Sequence, residues 1–165
     1  MFRKKIYAGL LAAALTVTSL FANTVTARAE ESWPGGIDTQ SAAAIVMEQE
    51  TGAILYEKNI HATYYPASIT KILTALVALE NSSLDEVVTF SKDAVYLNEG
   101  DSSHISRDVG EQMTMEQCLY GMLLESANEC AYAIAEHVGG GDVNVFVDMM
   151  NQKAAELGCQ DSDFN

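Results

Sequence analysis

The run Ile72-Leu73-Thr74-Ala75-Leu76-Val77-Ala78-Leu79 holds no glycine, proline or charge, and Lys71 stands directly at its head. Leucine and alanine dominate it and the apolar residues go almost all round, which predicts a buried helix. Such a helix needs other elements to cover it, so the rest of the chain must supply a shell. Pro66 marks a stop ahead of it, because proline disfavours a helical residue immediately before itself. Ser68 is thereby expected in the first helical turn, with Lys71 one turn further along the same face. A lysine inside a greasy helix is costly unless it has a partner or a task.

Ser68 supplies a candidate task. Side chains three apart on a helix are neighbours, so the Lys71 amine can reach the Ser68 hydroxyl. A serine hydroxyl is a weak nucleophile and needs a base within hydrogen-bond reach. Burial among apolar groups and the positive end of a helix both lower a lysine pKa, and a neutral amine can be that base. Alone, S-x-x-K is a weak pattern, equally met by a helix-start serine followed by a solvated lysine. A second motif further on has to decide.

The N-terminus reads as an export signal. Met1-Phe2-Arg3-Lys4-Lys5 is basic, Ile6 to Phe21 is uncharged and largely apolar, and Ala27-Arg28-Ala29 has the small-x-small form of a cleavage site. The apolar run is short for a membrane span, which needs about 20 residues. Residues 1–29 are therefore expected to be a signal peptide, 30–40 a lead-in, and 41–165 a folded domain outside the cytoplasm. Four of the nine basic residues and none of the 23 acidic ones fall in the leader, which leaves five against 23 and a formal charge of −18. So acidic a surface repels nucleic acid and anionic lipid. Three cysteines, Cys118, Cys130 and Cys159, are too few for a disulfide scaffold. Cys118 and Cys130 lie in apolar helical patterns and read as buried thiols, with a bridge between them left open. No paired His/Cys spacing suggests a metal, no cofactor motif occurs, and His61, His104 and His137 read as isolated surface or loop residues.

Between leader and helix, Ala42–Glu48 and Ala53–Glu57 are short strand-like runs joined by Glu50-Thr51-Gly52, a β-hairpin pattern. Asn81-Ser82-Ser83 ends the greasy helix, and Glu86–Ser91 is a further extended run. Asn98 to Gly110 is polar and turn-rich, a loop. Thr114-Met115-Glu116-Gln117 is a capping box that opens a helix through Leu124. Glu125-Ser126-Ala127-Asn128 breaks it. A second helix runs from Glu129 to Val138, stopped by three glycines, and a third from the N-cap Asp142 to Leu157, with Gly158 past its end.

Ser126-Ala127-Asn128 lies between two strongly apolar helices. Its plain interpretation is a helix break with an N-cap, since serine and asparagine suit both. Taken with Ser68 and Lys71 it acquires chemistry. A second hydroxyl can relay a proton between the lysine and a leaving amine, and an asparagine amide can hold both the lysine and a substrate carbonyl.

With both motifs in view, the chain resembles the D-alanyl-D-alanine carboxypeptidases among the low-molecular-mass penicillin-binding proteins. S-x-x-K with S-D-N and K-T-G is the signature that penicillin-binding proteins share with class A β-lactamases, and here the second motif reads Ser126-Ala127-Asn128. Glu50–Asn59 resembles their opening hairpin, Pro66–Leu76 their nucleophile segment, and Leu119–Glu129 their second motif. The resemblance implies an α/β (α+β) fold of the β-lactamase/transpeptidase kind, an antiparallel sheet with a helical lobe of residues 67–157 packed on it. It implies Ser68 as acylated nucleophile, Lys71 as its base, Ser126 in the proton relay and Asn128 in substrate binding. The Ser68 N–H would be one oxyanion donor. The implied partners are a peptidoglycan stem peptide ending in D-Ala-D-Ala, trimmed through an acyl-enzyme, and β-lactams as inhibitors. Neither metal nor cofactor is implied, and membrane association only through a region beyond this sequence. The family's third motif, K-T-G on a later strand, does not occur here. The sequence is thus expected to be an N-terminal fragment, poorly active and short of sheet partners. Class A β-lactamases share the Ser/Lys pair but usually carry Ser-Asp-Asn, and a non-catalytic cell-wall-binding module on the same scaffold is the alternative from another class.

Overall fold

A computed structural model describes residues 39–97 and 102–165. The leader, its cleavage site and most of the lead-in fall outside the described residues. The chain divides into two units, one ending at Ala62 and one spanning Thr63–Asn165.

The first unit is the expected hairpin. Strands β1 (Ala44–Met47) and β2 (Ile54–Lys58) pair antiparallel, Ala44 opposite Lys58 and Val46 opposite Tyr56, with an irregularity in register between Val46 and Met47. One side chain braces the turn. The Glu48 carboxylate accepts the N–H groups of Glu50 (3.0 Å) and Thr51 (2.6 Å) and the Thr51 hydroxyl. Those bonds, the Thr51 hydroxyl foremost, hold the Glu48 carboxyl below its ordinary range. Gly52 closes the turn at φ +71°, a conformation that glycine adopts without a Cβ clash. Among the described residues β1 and β2 pair only with each other.

The second unit is mainly helical. A 3₁₀ turn (Ala67–Ile69) leads into α1 (Thr70–Asn81). Strand β3 (Val87–Thr89) falls within the extended run expected at 86–91, and the short helix α2 (Lys92–Tyr96) follows. Strand β4 (Gln112–Thr114) pairs antiparallel with β3, Val88 opposite Met113. Helices α3 (Met115–Leu124), α4 (Asn128–Val138) and α5 (Val143–Glu156) complete the unit. The capping box at Thr114 and Gln117 forms as read, both reciprocal bonds present. Asp142 caps α5 by accepting from Asn144, and Gly158 stands at φ +85° past its end.

Helix α4 is the hub, touching α1, α2, α3, α5 and β3. Its alanines explain this: Ala133 and Ala135 are buried, and small side chains let neighbouring helices close in. The core around it holds Phe90, Phe146, Met115, Met122, Ile134, Val77 and Val88, all less than 2% exposed. Cys118 and Cys130 are fully buried free thiols, as anticipated. The neighbouring Cys118 thiol, with burial, pushes the Cys130 thiol far up and leaves it chemically quiet.

Three expectations need correcting. The greasy helix is buried on one side only: Thr74, Ala75, Val77 and Ala78 are covered, whereas Ile72 and Leu79 are exposed. Composition measures how apolar a helix is, but not which of its faces finds a neighbour. Second, α2 and β4 are additional to the expected elements, only five and three residues long. Ser91, expected at the end of an extended run, accepts from the Ala94 N–H and caps α2. Third, His137 is not isolated. Its Nε2 lies 2.8 Å from a Glu86 carboxylate oxygen and joins the end of α4 to the approach to β3.

Candidate active site

Ser68, Lys71, Ser126 and Asn128 converge. Ser68 Oγ lies 2.9 Å from Ser126 Oγ across 58 positions of sequence. Lys71 Nζ lies 2.6 Å from Asn128 Oδ1, 3.2 Å from Ser126 Oγ and 3.4 Å from Ser68 Oγ. The contact between α1 and α4 brings the two halves together, since Lys71 is in the first turn of α1 and Asn128 is the first residue of α4.

Ser68 is placed differently from expectation. It occupies the 3₁₀ turn ahead of α1, not the first turn of the α-helix itself. Pro66 adopts helical backbone angles, and Ala67 turns the chain through φ +50° immediately before the serine. The tighter turn still leaves Ser68 and Lys71 three residues apart on one side. Ser68 remains at the start of the stacked helical segment, where the first N–H groups have no intrahelical acceptor.

The capping interpretation of the second motif does not hold. The N-cap of α4 is Ala127, whose side chain makes no cap bond. Ser126 and Asn128 instead spend their side chains on Lys71 and Ser68. Ser126 stands at φ +57°, a left-handed conformation uncommon outside glycine. Two non-glycine residues at positive φ, Ala67 and Ser126, thus flank the same cluster. Such conformations cost about 1–3 kcal/mol each and persist where the surroundings enforce them. Neither is legible in the sequence, since alanine and serine do not favour left-handed backbone and only the surrounding fold imposes it.

Exposure is graded across the cluster. Ser68 is open to solvent, whereas Lys71, Ser126 and Asn128 are half-buried. Burial lowers the Lys71 pKa below that of an ordinary lysine. Three acceptor oxygens surround Nζ, those of Asn128, Ser126 and Ser68. Once the amine has given up a proton, its lone pair faces the Ser68 hydroxyl and can take that proton. The arrangement can therefore remove a proton from an accessible hydroxyl and pass it to a neighbouring one. Among the described residues no cluster of three or more His, Cys, Asp or Glu side chains is suited to a metal.

The family model described as D-alanyl-D-alanine carboxypeptidase matches residues 25–165. The chain belongs to this family. Among carboxypeptidase relatives, it is 32% identical over 165 residues to D-alanyl-D-alanine carboxypeptidase DacF of Bacillus subtilis, covering 98% of this chain and 41% of that protein. It is 36% identical over 129 residues to a D-alanyl-D-alanine carboxypeptidase of a Streptomyces species, covering 72% and 44%. The crystal structure of carboxypeptidase DacD from Francisella tularensis superposes with a TM-score of 0.71 at 32% identity, over 79% of this chain and 32% of that one. Penicillin-binding protein 6B from Escherichia coli gives 0.73 at 27%, over 82% and 45%. The mixed α/β transpeptidase-like fold expected from the motifs is thereby shown. The carboxypeptidase-family chain spans about two fifths of the length of these curated relatives.

Proposed function

We propose that this chain carries the nucleophile half of a serine-type D-Ala-D-Ala carboxypeptidase acting on peptidoglycan stem peptides. One observation supports the reading above all others: Lys71 Nζ, with its lowered pKa, sits within hydrogen-bond reach of Ser68, Ser126 and Asn128 together. Lys71 takes the Ser68 proton as Oγ bonds to the carbonyl carbon of the penultimate D-alanine. The Ser68 N–H is one donor to the developing oxyanion. The C–N bond to the terminal D-alanine then breaks, and its amine receives a proton through Ser126. Asn128 holds the amine of Lys71 in line and contacts the substrate amide. Water attacks the acyl-enzyme, Ser68 regains its proton, and the shortened peptide leaves. β-Lactams present the same acyl carbon and stop at the acyl-serine.

The reading places the chemistry outside the cytoplasm, with residues 1–29 as the export signal. No helix among the described residues is long and apolar enough to cross a membrane. No K-T-G triplet occurs among the 165 residues. In the family that strand carries the second oxyanion donor, and losing one donor costs about 10²–10³ in rate. The polypeptide of residues 30–165 alone is accordingly expected to turn over little substrate.

The experiment is D-alanine release from a diacyl-D-Ala-D-Ala peptide, with fluorescent-penicillin labelling, on the protein expressed from its intact gene. Release and labelling that both vanish in Ser68→Ala support the proposal. Rapid penicillin turnover without D-alanine release would point to a β-lactamase, and no covalent reaction at all to a binding module.

A further inference from the structure

Glu129, which the catalytic reading leaves without a task, is one of the two buried polar or charged residues among those described, 2% exposed. It follows Asn128 directly in the first turn of α4. Its Oε1 accepts the backbone N–H of Ile105 at 2.6 Å. Its Oε2 has no hydrogen-bond partner among the described residues. A buried carboxylate with one oxygen unpartnered is expensive to keep. Its contact with the Ile105 amide therefore needs an explanation other than general stability.

The explanation lies in what Ile105 is attached to. The Ile105 carbonyl accepts from the Arg107 guanidinium, from Nε at 3.3 Å and Nη2 at 3.2 Å. The Ile105 side chain packs on the core and lies against Gly121 in α3. With Glu129 holding the N–H, Ile105 is pinned at its donor, its acceptor and its side chain. Two residues earlier, the Ser103 carbonyl accepts the backbone N–H of Asn128 at 2.9 Å. That N–H opens a helix whose N-cap, Ala127, has no side-chain acceptor to offer. Segment 102–107 thus satisfies one of the N–H groups that the head of α4 leaves without an intrahelical partner. The Glu129 carboxylate anchors that segment. The loop of contacts is closed: Glu129 holds Ile105, Ile105 fixes Ser103, Ser103 holds Asn128, and Asn128 is bonded to Glu129 through the chain.

We propose that Glu129 is a positioning residue, which sets the place of Asn128, and through it of Lys71, by clamping segment 102–107 to the head of α4. The statement about Lys71 rests on the carboxypeptidase reading; the clamp itself does not. A glutamine retains an acceptor oxygen for the Ile105 N–H, an alanine does not, and an aspartate is one methylene too short to reach it.

The test uses the protein expressed from its intact gene, as wild type, Glu129→Ala, Glu129→Gln and Glu129→Asp. Amide hydrogen exchange is read at Ile105 and Asn128, with α5 amides as internal reference. The penicillin acylation rate is resolved into its limiting rate and its half-saturating concentration. In Glu129→Ala both amides are expected to exchange at least about tenfold faster relative to α5, and the limiting rate to fall about 10–10²-fold with half-saturation little changed. Glu129→Gln is expected to stay within a few-fold of wild type in both. Should Glu129→Ala not fold, Glu129→Asp carries the test with the same expected direction as alanine. Unchanged protection at Ile105 and Asn128 in the variant lacking the acceptor overturns the proposal. So does a glutamine variant as impaired as alanine, or a loss confined to half-saturation. Loosened amides in a protein whose wild type is never acylated would keep the clamp and reject the carboxypeptidase reading instead.

Discussion

The amine of Lys71 and the side-chain carbonyl of Asn128 meet at 2.6 Å, the shortest of the three hydrogen bonds made by that amine. A carbonyl oxygen accepts from the lysine without adding a full charge, so burial remains free to lower its pKa. Asn128→Asp keeps the shape and adds the charge. An adjacent opposite charge raises a lysine pKa by about 1–3 units. Penicillin acylation at neutral pH should fall by about 10–10³-fold, and its rise with pH should move to the alkaline side. Stopped-flow labelling across pH checks both.

Lys71 also leaves a signature on stability. Its folded pKa lies below the ordinary 10.5, because burial disfavours the charged form. Between the two values the unfolded chain binds more protons than the folded one, so stability rises with pH through that window. Below the folded pKa the full cost is present. Lys71→Met removes the group and its burial cost together. Urea titrations should find the methionine variant more stable than wild type near neutrality, with the gap narrowing as pH approaches the ordinary lysine range.

Ser126 combines a strained backbone with a hydroxyl beside Ser68. At φ +57° it pays a steric cost that glycine avoids. Ser126→Gly should raise unfolding free energy by up to about 1 kcal/mol, offset in part by the greater freedom of glycine in the unfolded chain. The same change removes the hydroxyl 2.9 Å from Ser68 Oγ, and acylation should slow by about 10²-fold. Denaturation midpoints and labelling rates on one preparation will show whether the two move in opposite directions.

Gly121 is held small by its neighbours. A Cβ built there meets Cys130 Sγ and Ile105 Cδ1, each at 3.0 Å. Helix propensity alone favours Gly121→Ala by about 1 kcal/mol. Overpacking costs about 1–3 kcal/mol and should win, leaving the variant less stable. Ile105→Val deletes one of the two obstructing atoms. In a double-mutant cycle the pair should lose less than the sum of the singles.

Much of this could be read along the chain. The hairpin, the capping box at Thr114 and the ends of α4 and α5 depend on neighbours within a few residues, and they formed within a residue or two of expectation. Ser68 with Lys71 and Ser126 with Asn128 were each visible for the same reason, as pairs set by local spacing. Helix α2 and strand β4 were not, because so short an element has no period of its own and exists through the partners that cover it. Glu129 was no more conspicuous in sequence than Glu125 or Glu116. Only the fold buries the first and leaves the other two at the surface.

By itself the sequence determined which groups are available: a hydroxyl and an amine one turn apart, a second hydroxyl and an amide two apart, and helices apolar enough to associate. Tertiary structure decided that these two local pairs are one cluster, that Lys71 is buried enough to have its pKa lowered, and that Ala67 and Ser126 adopt left-handed backbone. The physical reason is range. Propensity and capping act over three or four residues, whereas the 2.9 Å between Ser68 and Ser126 spans 58 positions and follows from how α1 and α4 pack.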